Sequence, residues 1–260
     1  MMQRLELRLK PGEAAYFASD FHLGAPDGPA SMAREKKIVR WLDAIAGDCR
    51  YLFLVGDVFD FWFEYKHVVP KGYVRFLGKL AELADRGVEI YLFTGNHDMW
   101  MFGYLEKQLS ARIFRQPVEV HSGQMKMLVG HGDGLGPGDF SYKILKKVFE
   151  NPLCQWLFAA LHPGIGFGIA KAWSSHSRIA NHRDEQFLGE EEFLWQYCRK
   201  MHAMQPFHYY IFGHRHLPLD LPVGENSRYL NPGEWMNHCR YLRFDGEKME
   251  MIEWEPASTP

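Results

Sequence analysis

The amino-acid sequence predicts an α/β sandwich: two mixed β-sheets packed face to face, helices outside them (αββα), and one helical insertion as a cap. Three observations carry this. Short apolar runs end directly in a glycine or a carboxylate, and amphipathic helical patterns alternate with them over the first hundred residues. A single aromatic-rich stretch then breaks the rhythm.

The runs at 14–18, 51–55, 88–93, 126–129 and 208–212 are short, apolar and β-rich, as suits strands covered on both faces. Between them, 32–46 sets Ile38, Leu42 and Ile45 on one helical face, and 73–86 does the same with Phe76, Leu80 and Leu83. Strand and helix in alternation argue for βαβ units. After Tyr209 the runs at 228–231, 240–244 and 248–254 read as a β-meander closing a second sheet. The break falls at 135–183, which is rich in Phe, Trp, Leu and Gly and carries six Lys or Arg against two Asp or Glu. Residues 164–168, Gly-Ile-Gly-Phe-Gly, mark a break within it. The expected division is a core of 1–134 and 184–260 with a cap at 135–183.

Composition narrows the class. A chain of 260 residues, 47% hydrophobic and 24% charged, is that of an ordinary globular protein with a sizeable core. A net charge of −2 offers no argument for a nucleic-acid partner. Cys49, Cys154, Cys198 and Cys239 are widely separated and read as free thiols of a reducing compartment. The N-terminus shows no apolar core of a signal peptide, and no run approaches the roughly 18 apolar residues of a spanning helix. The expectation is a cytoplasmic protein that at most rests on a membrane face.

Five segments at the ends of the strand-like runs carry the chemistry. They are Asp20-Phe21-His22, Gly56-Asp57, Gly95-Asn96-His97-Asp98, Gly130-His131 and Gly213-His214-Arg215-His216. Alone, most of these are ordinary turns or surface pairs, Gly-Asn-His-Asp being the rarer one; the ordered set reads as that of a metal-dependent hydrolase. Ligands of open α/β sheets bind at the carboxyl ends of strands. Asp20 and His22 are two apart, so in an extended segment both project to one side, and His214 with His216 repeats the spacing. Asp57 can bridge two cations, Asn96 offers an amide oxygen and His131 an imidazole. Such oxygen and nitrogen donors suit Mn²⁺, Fe²⁺ or Zn²⁺, and the lack of thiolates argues against structural zinc. Two cations about 3.5–4 Å apart would hold a hydroxide and neutralise phosphoryl oxygens during an in-line displacement. His97 is then placed to protonate the leaving oxygen, with Asp98 orienting it.

This set resembles the calcineurin-like metallophosphoesterases, whose pattern runs D-x-H, G-D, G-N-H-D, G-H and G-H-x-H; the match spans Asp20 to His216. The resemblance implies two divalent ions, expected to be manganese. One would be held by Asp20, His22, Asp57 and His216, the other by Asp57, Asn96, His131 and His214. Within that superfamily, residues 56–62 (Gly-Asp-Val-Phe-Asp-Phe-Trp), 131–135 (His-Gly-Asp-Gly-Leu) and the long insertion are similar to the UDP-2,3-diacylglucosamine hydrolase branch. That branch cleaves the pyrophosphate of a lipid A precursor to UMP and a diacylated glucosamine 1-phosphate, and its cap receives acyl chains. Residues 139–143 and 175–181 resemble the cap stretches that hold sugar and phosphates. By that match Asp139, Ser177, Arg178 and Asn181, together with Asn96 and His97, are substrate-contact candidates. His176 stands where Asn is expected. One departure is plain: better-known members of the branch carry Arg after the motif Asn, where this chain has His97. An imidazole can act as an acid, whereas Arg only pairs charge.

The implied partners are a lipid-linked UDP-sugar and, peripherally, the cytoplasmic face of an inner membrane. The residues agree in kind, since an aromatic, basic insertion suits an amphiphilic phosphate-bearing substrate, with Lys143, Arg178 and Arg183 meeting the anion. Two alternatives stay open. Another calcineurin-like phosphoesterase, acting on a nucleotide or phosphodiester, would need no apolar groove. A non-catalytic scaffold would have no chemical use for seven ligands and His97. A nuclease would call for a basic excess that the chain lacks.

Overall fold

The structure, a computed structural model, describes residues 2–138, 140–180 and 186–254. A short strand β1 (Arg4–Glu6) precedes β2 (Ala14–Ala18). Helix α1 (Gly28–Ile45) begins where the Asp27 side chain accepts the Ala30 amide and a proline occupies the first turn. Then come β3 (Cys49–Val55), α2 (Val74–Asp85), β4 (Glu89–Phe93), α3 (Tyr104–Leu109) and β5 (Arg112–Phe114). The hairpin β6 (Val118–Ser122) and β7 (Met125–Gly130) leads out of the core. Helices α4 (Phe140–Glu150), α5 (Pro152–Ala159) and α6 (Pro163–Ala180) follow, and α7 (Phe193–Met204) returns. Strands β8 (Tyr209–Phe212), β9 (Pro218–Gly224), β10 (Ser227–Pro232), β11 (Arg240–Phe244) and β12 (Met249–Glu253) follow.

Two six-stranded mixed sheets result, in the orders β1-β6-β7-β8-β10-β9 and β12-β11-β2-β3-β4-β5. The period of two along each strand divides the core into three layers. Ala15 and Phe17 of β2 join Phe53, Tyr91, Val120, Met127 and Ile211 between the sheets, where Phe17 stacks on Phe53 at 4.5 Å. Their neighbours Tyr16 and Ala18 face the other way, toward Ile38, Trp41 and Leu42 of α1 and Phe76 and Leu80 of α2. On the far side, Leu194 and Cys198 of α7 cover Leu128, Tyr210 and Phe212. This is the expected αββα arrangement, and the carboxyl ends of β2, β3, β4, β7 and β8 lead into the five motifs.

One expectation is corrected. The runs at 228–254 are not a single meander. β10 pairs in parallel with β8, with Tyr229 opposite Tyr210, and so belongs to the first sheet. β11 and β12 form a hairpin whose inner strand pairs antiparallel with β2 of the second sheet. The crossing between sheets is made by a tight turn in which the buried Glu234 carboxylate accepts the amides of Asn237 and His238. Strands β1, β5, β6 and β9, short or polar, carried no comparable signal.

Helices α4–α6 pack over the end of the core through aromatic rings. Phe158 sits 4.9 Å from both Phe63 and Trp100, Phe167 sits 5.0 Å from Phe61, and Phe149 sits 5.3 Å from Trp100. Among the described residues, no single helix is long and apolar enough to cross a membrane.

Candidate metal centre

The five motifs converge. His22 Nε2 lies 3.7 Å from Asp20 Oδ1, 3.8 Å from Asp57 Oδ2 and 3.0 Å from His216 Nε2. His216 Nε2 lies 3.4 Å from Asp20 Oδ1. On the other side of Asp57, His131 Nε2 is 3.3 Å from Asp57 Oδ2 and 3.3 Å from Asn96 Oδ1. The His214 ring packs 5.2 Å from that of His131. Asp20-His22-Asp57-His216 and Asp57-His131-His214 are two groups whose donors could hold a cation, with Asp57 common to both, and His22-Asp60-His97 is a third.

The local backbone is unusual where the ligands sit. Asp20, His22, Asp57, His214 and His216 have φ of 56°, 44°, 50°, 69° and 53°. Left-handed conformations cost a non-glycine residue on the order of 1–3 kcal/mol and persist only when their surroundings hold them. The extended spacing expected for the two Asp/His and His/His pairs is therefore replaced by left-handed turns, which still bring each pair to one centre. Backbone bonds hold the turns together: Asp20 N donates to Gly56 O at 3.1 Å and His22 N to Asp57 O at 2.9 Å. Two glycines are required by close approach. A Cβ at Gly95 would overlap the Asp57 carboxylate, and one at Gly56, itself at φ 89°, would overlap the His131 ring.

Two of the imidazoles are aimed by what their Nδ1 does. His131 Nδ1 donates to Val55 O at 2.9 Å, which turns Nε2 toward Asp57 and Asn96. His97 Nδ1 donates to Asp60 O at 3.1 Å, and its ring meets that of His22 edge-on at 4.9 Å. The His97 amide in turn donates to Asp57 Oδ1 at 2.9 Å. Asp98 does not orient His97 as expected. Its two oxygens accept the amides of Val58 at 2.8 Å, Phe59 at 3.2 Å and Gly95 at 2.8 Å, so it ties the Asp57 loop to the Asn96 loop from beneath. The contact to His97 comes from Asp60, a residue the sequence did not single out, because its carbonyl reaches the ring only through the fold of that loop.

Opposite charges within the cluster work against the effect of burial. Burial alone would lower His22, but Asp20, Asp60 and Asp57 outweigh it and raise it to about 10. Burial is likewise overcome at His131, raised to about 10 chiefly by Asp57 and Asp20. Burial would raise Asp20 and Asp57, yet the surrounding imidazoles hold both carboxyls well below the usual range. His214 goes down to about 4 through burial and the neighbouring His131 charge. In the metal-free chain, protons on His22 and His131 thus balance the carboxylates. Even so, among the described residues Asp20 Oδ1 and Asp57 Oδ2 are buried without a hydrogen-bond donor. Unpaired buried carboxylate oxygens ringed by imidazole nitrogens about 3–4 Å away fit a shell whose metal–ligand distances are about 2.0–2.2 Å.

Of the expected substrate contacts, Asn96 and His97 are in the centre. Asp139 and Asn181 lie outside the described residues, as does Arg183; Ser177 and Arg178 fall on α6 at positions whose side chains are likewise outside them. Lys143 donates to Gly136 O at 2.7 Å.

Fold and site together define a metal-dependent phosphoesterase. The calcineurin-like phosphoesterase family matches residues 15–218, and the chain belongs to that family. A UDP-2,3-diacylglucosamine hydrolase from Porphyromonas gingivalis is 37% identical over 257 residues, covering 92% of this chain and 98% of the relative. Another hydrolase of that name, from Edwardsiella ictaluri, is 27% identical over 246 residues, 92% of each chain. Among solved structures, vacuolar protein sorting 29 from Cryptosporidium parvum aligns with a TM-score of 0.46 at 14% identity, over 95% of this chain and 100% of that one.

Proposed function

We propose that the protein hydrolyses the pyrophosphate of UDP-2,3-diacylglucosamine to UMP and 2,3-diacylglucosamine 1-phosphate. The observation that carries this reading is a cavity of about 600 Å³ that adjoins the metal centre. Its walls include Asp60, Asn96 and His97, Phe61, Met99 and Trp100 of the core, and Leu145, Val148, Leu157, Phe158, Leu161 and Ile169 of the cap. A small phosphodiester would leave that apolar space unfilled; acyl chains would fill it. The two relatives named for this activity, matched nearly end to end, support the same substrate.

In this reading Asp20, His22, Asp57 and His216 hold one divalent ion, and Asp57, Asn96, His131 and His214 hold a second, manganese in both cases. When bound, the ions supply positive charge against the phosphoryl oxygens and lower the pKa of the attacking water. Val55 O keeps the His131 lone pair on the cation side, and the Asp57 carboxylate serves both sites. Burial holds His97 below its ordinary pKa in the chain alone. A pyrophosphate anion alongside opposes that effect and favours the charged ring. With Nδ1 committed to Asp60 O, the second proton sits on Nε2, where it can be given to the leaving phosphate oxygen.

Steady-state hydrolysis of UDP-2,3-diacylglucosamine in mild detergent with Mn²⁺, beside UDP-N-acetylglucosamine and a generic phosphodiester, tests the reading. UMP release from the diacylated substrate in strong preference to the others is the expected result. Turnover of only the generic ester would remove the lipid assignment and leave the phosphoesterase.

The same reading has the protein working at the cytoplasmic face of the inner membrane, where such a lipid is presented. Phe140 and Ile144 of α4, Leu153 and Trp156 of α5 and Ile165 of α6 are all more than half exposed, and apolar helix faces of this kind suit reversible docking on lipid.

A further inference from the structure

Arg215 stands between two of the metal-ligand candidates, and its side chain turns away from them into the protein. Its side chain is 1% exposed and grips Glu192, itself fully buried, through two bonds: Nε to Oε1 at 2.5 Å and Nη2 to Oε2 at 3.1 Å. A further bond runs from Nη2 to Gln186 O at 2.8 Å, and the Phe193 ring centre lies 5.6 Å from the guanidinium. Glu192 and Gln186 belong to the segment that returns from the cap to α7. The loop they hold is strained, since His214 and His216 both have positive φ. Asn231 Nδ2 donates to Gly213 O at 2.6 Å, and His214 N to Asp20 Oδ2 at 3.0 Å. Those bonds fix the start of the loop; the guanidinium fixes its middle and, with it, the direction of His216.

A buried ion pair of this kind is weak evidence for stability, because desolvating two charges offsets most of their attraction, and apolar replacements of similar volume are often neutral. What a bidentate Arg–carboxylate pair supplies that an apolar pair does not is a fixed direction. We propose that Arg215, clamped by Glu192, is a positioning residue that aims His214 and His216 at the metal centre and links the return of the cap to it. The proposal rests on the two-metal reading of those histidines.

The test is calorimetric titration of Mn²⁺ into the metal-free protein, with thermal melting alongside, for wild type, R215K and the double variant R215M/E192M. The double variant removes both charges, so its melting point should stay near that of wild type, while Mn²⁺ binds about 10–100-fold more weakly. R215K, which keeps the charge but not the fork, should weaken Mn²⁺ by about tenfold. As a control, R243M breaks the Arg243–Asp48 pair, 2.9 Å long and placed on the β2–β11 side of the core. It should lower the melting point and leave Mn²⁺ affinity unchanged. Wild-type affinity in R215K or in the double variant overturns the proposal, and so does an equal loss in R243M, which would make the effect one of general stability. Failure of the wild-type protein to bind Mn²⁺ would instead strike at the metal reading itself.

Discussion

The metal centre and the cap meet at Asn96 and His97 but are held by opposite means. In the centre, backbone atoms fix polar side chains: Val55 O on His131, Asp60 O on His97, and three amides on Asp98. Five of its residues sit in left-handed conformations that only a tightly determined surrounding sustains. The cap is the reverse. None of the described residues of α5 is buried, and Trp156, Leu153 and Leu157 are 66%, 63% and 53% exposed. It is fastened by rings on Trp100, whose indole also donates to Phe149 O at 2.9 Å, and by Tyr142 and Lys146 on Asp133. A rigid polar frame suits chemistry whose atoms must stay within tenths of an ångström, and a loosely covered apolar layer suits chains of variable shape. Changes in the first region should therefore act on kcat and metal content, and changes in the second on KM and on substrate choice.

The sharpest break of that division is Asp57→Ala. It removes the carboxylate shared by both ligand groups and the acceptor of the His97 amide, and turnover should fall by at least about 10³-fold with metal content reduced. Near-normal kcat, measured with metal analysis of the same sample, would end the shared-ligand assignment. His97→Ala should cost about 10²-fold in kcat, as expected for loss of a proton donor. Its metal content should match wild type; a loss of metal would make His97 a ligand instead. Leu157→Trp narrows the cavity from the cap side. It should raise KM for the diacylated substrate by about tenfold and leave turnover of a generic phosphodiester unchanged. An equal fall on both substrates would show that the cap also shapes the polar frame. Asp98→Asn leaves one acceptor oxygen where two now serve three amides. It should lower stability by about 2–3 kcal/mol, read from denaturant unfolding, with activity lost only a fewfold if Asp98 frames the site and does no chemistry.

How much of this the sequence discloses follows from the same contrast. The strand ends and motif residues were legible because each buried strand is a compact apolar run, and because a glycine is forced wherever carboxylate or imidazole packs against backbone, as at Gly95 and Gly56. The order of motifs then announced a shared centre. The sequence could not show that Asp20 and His22 are left-handed and not extended, since φ depends on what holds the turn. Nor could it show that Asp98 faces the loops beneath it while Asp60 meets His97: adjacent acidic residues are indistinguishable until the chain has turned. The supposed meander failed for a related reason. Strand propensity at 228–254 is real, but which sheet each strand joins is settled by the Glu234 turn, whose role lies in hydrogen bonds to amides that any residue would offer.

The smallest effect separates the two regions most cleanly. Trp156 stands 66% exposed on α5, away from the metal ligands and not among the residues lining the apolar cavity. If the outer face of the cap docks on lipid, Trp156→Ser removes one large ring from the contact. A partly immersed ring contributes about 1 kcal/mol, so partition onto vesicles should weaken roughly fivefold in a co-sedimentation assay. In detergent, where no bilayer has to be found, kcat and KM should both stay at wild-type values, because Trp156 is neither a metal-ligand candidate nor one of the residues lining the cavity. Against vesicle-embedded substrate the apparent KM should then rise by the same factor as the partition falls. A change in detergent would mean that Trp156 supports the cavity from outside. Unchanged partition would mean that the exposed rings of α5 do not meet the bilayer, and that the lipid reaches the centre from a surface other than the cap's outer face.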